Sequence, residues 1–134
     1  MKIIGGTFSG RVIHSPKGKN TRPTSSRVKE SLFNFLAHGA GIDFNGLHIL
    51  DIFAGSGSLG IEALSRGARF CNFIDIESQA ISTIESNIRS LNLEENNDTL
   101  LLIKYIEYLV NNNIADNWKD IIINIVNNID AAYS

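Results

Sequence analysis

Asp51, followed by Gly55, Gly57 and Gly60, combines residue types and spacing that can do chemistry. The stretch Ile49-Leu-Asp-Ile-Phe-Ala-Gly-Ser-Gly-Ser-Leu-Gly60 runs from an apolar segment through an acid into a glycine loop, and a helical pattern begins at about Leu59. Strand, tight turn and helix N-terminus in that order make a nucleotide-type pocket. Gly55-Ser-Gly-Ser-Leu-Gly60 matches G-x-G-x-x-G, so a nicotinamide-dependent oxidoreductase is one reading. A dinucleotide's diphosphate, however, is best met by bare amides at the helix N-terminus, and Asp51 at the mouth of the loop repels it. S-adenosylmethionine carries no phosphate. Its sulfonium and α-ammonium groups are cationic, and an acid beside the glycines suits them. A P-loop is excluded, because no Gly-Lys-Ser/Thr follows the glycines. Asp75 closes Phe73-Ile-Asp-Ile-Glu77 where a carboxylate would grip ribose hydroxyls, which serves either cofactor. Glu77 is expected to face solvent or to help start the next helix.

Placing these groups takes strands alternating with helices. Leu47–Ile52 reads as a strand, and Leu59–Arg66 as a helix stopped by Gly67. Phe70–Asp75 reads as a second strand. A helix over Ser78–Leu91 follows, with Ile81, Ile84, Ile88 and Leu91 on one stripe. Leu100–Ile103 and Asp120–Val126 are expected as third and fourth strands, with a short helix across Ile106–Val110 between them. Such alternation implies a parallel sheet with right-handed crossovers. Ahead of it, Lys2–Ile4 and Arg11–His14 read as a hairpin, with Gly5-Gly6 and Gly10 as turn residues. A basic loop then holds Pro16 and Pro23, the two prolines of the chain. Ser25 or Ser26 caps a helix whose apolar face is expected along Val28, Leu32, Phe35 and Leu36, widened by Phe33.

At 134 residues the chain is a single domain with one modest core. Residues 1–46 form a basic N-terminal extension, and residues 47–134 a partial cofactor-binding α/β core. No apolar run reaches the roughly 18 residues of a membrane span, and no signal-peptide h-region opens the chain. Cys71, the one cysteine, sits among apolar neighbours as a buried strand residue, and a reducing, cytoplasmic setting is expected. His14, His38 and His48 are scattered, so no metal site is expected. The net charge of −2 conceals a split: residues 1–29 carry +7 with no acid, and the remainder carries −9. A cationic arm on an acidic body is what contact with a phosphate backbone requires, although a solvated basic loop has the same composition.

Three segments, Met1-Lys-Ile-Ile-Gly-Gly6, Thr21–Leu36 (TRPTSSRVKESLFNFL) and Leu50–Ala68 (LDIFAGSGSLGIEALSRGA), stand in this order. Together they resemble the bacterial 16S ribosomal RNA (guanine-N2)-methyltransferase family, small class I S-adenosylmethionine-dependent enzymes, over roughly residues 1–92. The resemblance implies a Rossmann-like sheet of seven strands, of which this chain would hold the first four, behind an N-terminal hairpin-and-helix extension. It implies transfer of a methyl group from S-adenosylmethionine to a guanine amine of the small ribosomal subunit. By the same resemblance, Asp51, Phe53, Ala54, Gly55, Ser56 and Gly57 line the methionine side of the cofactor, with Asp75 on its ribose. It implies that Arg22, Thr24, Arg27 and Glu30 lie near the RNA or cofactor entrance, and with the basic arm it makes Arg11, Lys17, Lys19, Arg22 and Arg27 the expected RNA contacts.

The chain also departs from that pattern. The family places Asp/Asn-Pro-Pro-Tyr/Phe after its fourth strand, where two acceptors aim a weakly nucleophilic amine and the ring stacks on a flipped-out base. Here the corresponding stretch reads Asn124-Ile-Val-Asn-Asn128, with Tyr133 the nearest aromatic beyond it, so the catalytic residues are unassigned. Lys104 stands near where the family offers an acceptor to the adenine amine, and a cation cannot accept that bond. A chain ending after four strands would leave Ile121–Val126 as an apolar edge. That edge is expected to pair with a complementary C-terminal fragment or a second copy. The alternative function is accordingly a non-catalytic or split cofactor- and RNA-binding remnant.

Overall fold

The computed structural model describes residues 1–17, 24–93 and Asn127. Its elements are α1 (Ser26–Asn34), β1 (His48–Ile52), α2 (Ser58–Ser65), β2 (Phe70–Ile74) and α3 (Ser78–Ser90), with a π-helical turn over Phe35–Gly39 after α1. β1 and β2 pair in parallel, with Asp51 opposite Phe73. This is the alternating α/β arrangement expected of residues 47–91, and each boundary lies within a residue of its expected place. The expected strands at Leu100–Ile103 and Asp120–Val126, the helix at Ile106–Val110, Lys104 and Tyr133 lie outside the described residues. So do the fourth-strand edge and the Asn124–Asn128 stretch, apart from Asn127.

The N-terminal hairpin forms around one antiparallel bridge, Lys2 to Val12. Its arms exchange Ile3 N–H to Arg11 O and Ile13 N–H to Met1 O. Ile3 and Ile13 point inward and join Ile61, Cys71, Phe73, Ile81, Ile84, Ile88 and Leu91 in one core. The α3 stripe therefore buries as its 3.6-residue period requires. A second cluster, Phe33, Phe44, Ala63 and Ala68, lies under α1. Helix α2 contributes Ile61 to the first cluster and Ala63 to the second, which explains why six of its eight residues are buried.

The expected face of α1 is met only in part. Ser25 caps the helix, accepting from Val28 N–H. Phe33 is buried and Leu36 packs half-buried against the same cluster, as expected, but Val28, Leu32 and Phe35 are exposed and Lys29 is buried. The cause lies 33 positions away. Glu62 on α2 is wholly buried and stands 3.3 Å from the Lys29 ammonium, which also donates to Lys2 O at 3.0 Å. A buried charge must be paired, so this ion pair rolls α1 about its axis against the hydrophobic preference of its surface. Glu62 further accepts from Ile4 N–H (3.0 Å), Gly5 N–H (2.8 Å) and Arg66 Nε (3.0 Å), which ties the hairpin turn to α2. Burial raises the Glu62 pKa. The Ile4 and Gly5 amides, Lys29 and Arg66 outweigh that effect, so it lies below the ordinary value.

Candidate cofactor cleft

The glycine loop leaves β1 through Phe53, whose φ of 61° is left-handed, a conformation uncommon for a bulky residue. Such strain costs on the order of 1–3 kcal/mol and concentrates at functional sites. Ala54 N–H then donates to Ile74 O, Gly55 N–H to Asp75 Oδ2, Gly57 N–H to Ala54 O and Gly60 N–H to Asp51 Oδ2, at 2.8–2.9 Å. Gly57 caps α2 at φ 77°, with Ile84, Phe73 and Ile61 packed against the space a Cβ would fill. Only glycine satisfies both conditions there. Gly60 is needed for a different reason: a Cβ would overlap Cys71 Sγ and the Phe73 ring, so it lets α2 approach β2.

Asp51 is 8% exposed. Desolvation raises its pKa to about 6, with the Gly60 amide lowering it and neighbouring Asp75 raising it again. Cys71 beside it is a buried free thiol, as expected. Burial pushes its pKa well up and the Asp51 charge adds to this, so it is not a nucleophile.

A cleft opens beside this loop, with about 550 Å³ of space including its mouth. Asp51, Ile52, Phe53, Ala54, Gly55, Ser56, Ser58 and Leu59 form one side, and Ser15, Pro16 and Thr24 of the N-terminal extension the other. No described residue lining the cleft is basic.

The sequence candidates are distributed as follows. Asp51, Phe53, Ala54, Gly55 and Ser56 line the cleft, while Gly57 lies behind it and shapes the turn. Asp75 is not in the lining. Its two oxygens accept from Gly55 and Glu77 amides (2.8 and 3.0 Å), so it holds the loop and the start of α3 together. Glu77 is exposed and precedes α3, as expected. Arg11 reaches across to Ser90 O at 2.7 Å, and Arg27 is exposed on α1. Lys17 flanks a second groove with His14, Gln79 and Ser82, which meets the cleft at Ser15. Lys19 and Arg22 lie outside the described residues.

Two groups escaped the sequence reading. Glu62 had a visible signal in its i, i+4 spacing to Arg66, but its pairing with Lys29 had none. Asn87 interrupts the apolar stripe between Ile84 and Ile88, and a buried amide on such a face needs partners. It has them in His14 and Ser56.

Among the described residues, no group of three His, Cys, Asp or Glu side chains could hold a metal ion, and no helix is long and apolar enough to cross a membrane.

Residues 1–123 match the protein family described as conserved hypothetical protein 95. YlbH of Bacillus subtilis (strain 168) is 48% identical over 93 residues, which cover 69% of this chain and 48% of that protein. Ribosomal RNA small subunit methyltransferase D of Escherichia coli (strain K12) is 41% identical over 91 residues, covering 68% of this chain and 44% of the relative. Among solved structures, yhhF from Escherichia coli, described as a methyltransferase, superposes with a TM-score of 0.58 at 40% identity. It covers 69% of this chain and 48% of that one. The chain thus spans about half the length of the relatives it matches.

Proposed function

Because this chain belongs to the conserved hypothetical protein 95 family, whose members it matches include small-subunit rRNA methyltransferases, we propose that its cleft binds S-adenosylmethionine and that the whole protein methylates a guanine amine of 16S rRNA. The observation that carries the cofactor reading is the charge of the cleft. The charged residue in the described lining is an acid, Asp51, and it is buried beside the glycine loop. A diphosphate at this helix N-terminus would face a repelling carboxylate. A sulfonium and an α-ammonium would find a counter-charge already desolvated, where an ion pair is strong. This favours a methyl donor over a nicotinamide dinucleotide.

In this reading Asp51 faces the methionine end, with Phe53, Ala54, Gly55 and Ser56 against the ligand. Asp75, while bracing the loop, stands near the ribose. The bound cofactor supplies an electrophilic methyl group. The chain's own contribution is to desolvate and orient it, and to bring RNA phosphates to the arm through Arg11, Lys17, Lys19, Arg22 and Arg27. The Asn124–Asn128 stretch lacks the residues that would aim the amine, so methyl transfer by this chain is expected to be slow even where cofactor binding is intact.

Calorimetric titration of the chain with S-adenosylmethionine and, separately, with NAD tests the cleft. Binding of the first and not the second is expected, and the opposite pattern overturns the reading. Labelled methyl transfer to 16S rRNA, with digestion to nucleosides, tests the substrate: label in any nucleoside other than N2-methylguanosine refutes the guanine assignment.

A further inference from the structure

We propose that Asn87 is a positioning residue for the cofactor cleft, fixing the N-terminal arm against the glycine loop so that the arm forms the cleft's second wall. Asn87 lies on α3 and is wholly buried. Its Oδ1 accepts His14 N–H, and its Nδ2 donates to both His14 O and Ser56 O, each at 2.9 Å. One side chain therefore holds the peptide units of two segments that are distant in sequence. His14 immediately precedes Ser15 and Pro16, which line the cleft, and Ser56 lines it from the opposite side. The separation of the two walls is set through this amide.

The chemistry of the amide explains the residue type. The arm at His14 presents a donor and an acceptor to α3, and the loop presents an acceptor. Of side chains of this size, only asparagine offers one acceptor and two donors together. An aspartate has the same shape but no donor at neutral pH, and would set a charge against two carbonyl oxygens. A hydrogen bond from Arg11 to Ser90 O one turn further along α3 holds the arm a second time. The arm runs on past Pro16 into the basic loop at Lys17. Asn87 thereby joins the cofactor side of the protein to the segment proposed to meet RNA, although it touches neither ligand.

This inference rests on reading the cleft as an S-adenosylmethionine site, and the test separates the two. The full chain, Asn87→Asp and Ile88→Val are compared. Ile88 is a buried core residue on the same helix, so its variant serves as a control for lost stability alone. Two quantities are read: calorimetric affinity for S-adenosylmethionine, and the rate of tryptic cleavage after Lys17. Loss of two buried donated bonds is expected to weaken affinity in Asn87→Asp by about tenfold or more, and to speed cleavage at Lys17 with and without the ligand. Ile88→Val should bind as the parent does and show parental cleavage while folded. Parental affinity in a folded Asn87→Asp overturns the proposal and leaves the cofactor reading standing. If the parent itself binds no S-adenosylmethionine, the cofactor reading fails. Cleavage at Lys17 in the free protein then decides the tether alone, and equal rates in parent and Asn87→Asp reject it. Should Asn87→Asp not fold, Asn87→Ser, which keeps a single hydroxyl donor, is read by the same two measurements.

Discussion

Removing the charge of Glu62 should destabilise the protein severely, and removing Lys29 as well should give part of that loss back. In Glu62→Gln four donors still converge on a wholly buried position, those of Ile4, Gly5, Arg66 and Lys29. The new amide can accept on one side only and turns N–H groups toward donors on the other. The Lys29 ammonium, also wholly buried, is left with Lys2 O as its remaining partner. Breaking a buried pair in this way costs about 3–5 kcal/mol. Lys29→Met is milder, about 1–2 kcal/mol, because Glu62 keeps two amides and Arg66. The double variant leaves no wholly buried charge unpaired, since Arg66, which also loses Glu62, is 19% exposed and reaches water. Its cost should be about 2–3 kcal/mol, below that of Glu62→Gln alone, so the second substitution acts as a suppressor. Urea denaturation of the four proteins at pH 7 closes the cycle. A double variant whose loss equals the sum of the singles within about 0.5 kcal/mol would refute the ion pair as the force that turns α1.

Asp51 has a folded pKa of about 6 against an ordinary 3.8, so the folded state holds the proton more tightly than the unfolded chain does. Its stabilising contribution is complete below pH 3.8 and is lost as pH rises through about 6, a change of about 3 kcal/mol at 1.4 kcal/mol per unit. Asp51→Asn should flatten the stability profile across that window, and an unchanged slope would show that Asp51 is ionised throughout. Cofactor binding should run the other way with pH: a cation needs the carboxylate, so S-adenosylmethionine affinity is expected to be flat above pH 6 and to fall about tenfold per unit below it. Affinity independent of pH between 5 and 7 would remove Asp51 from the cofactor's cationic groups. Glu62, whose pKa is lowered, should lose its contribution only as pH falls below its ordinary 4.5, and Glu62→Gln should be insensitive to acid in that range. Gly60→Ala should cost at least about 2–3 kcal/mol, because the methyl group meets Cys71 and Phe73 at the contact between α2 and β2. Thermal denaturation reads it, and a shift under 2 °C would show that the contact can relax.

The parts of this protein set by near neighbours were legible in its sequence. β1, α2, β2 and α3 fall at their expected places because an apolar period, a glycine stop or a short β-rich run identifies each within about ten residues. The cleft-lining loop was legible for the same reason, since Asp51, Phe53, Ala54, Gly55 and Ser56 are contiguous with the turn that shapes them. What the tertiary structure alone decided comes from contacts between distant residues. The hydrophobic pattern of α1 points Val28, Leu32 and Phe35 inward, yet Lys29 is buried instead, because a carboxylate 33 residues later supplies the charge that makes its burial tolerable. Asp75 reads as a ribose ligand from its place at a strand end, while its oxygens hold the loop amide of Gly55 and the amide of Glu77. Asn87 reads as a blemish in an apolar stripe until His14 and Ser56 are set against it. Sequence periodicity reports the preferences of a segment for water or core, and those preferences built the elements and the loop. Which face of an element turns inward, and which wall closes the cleft, depends on buried polar groups finding partners across the fold, and that complementarity exists only once the chain has folded.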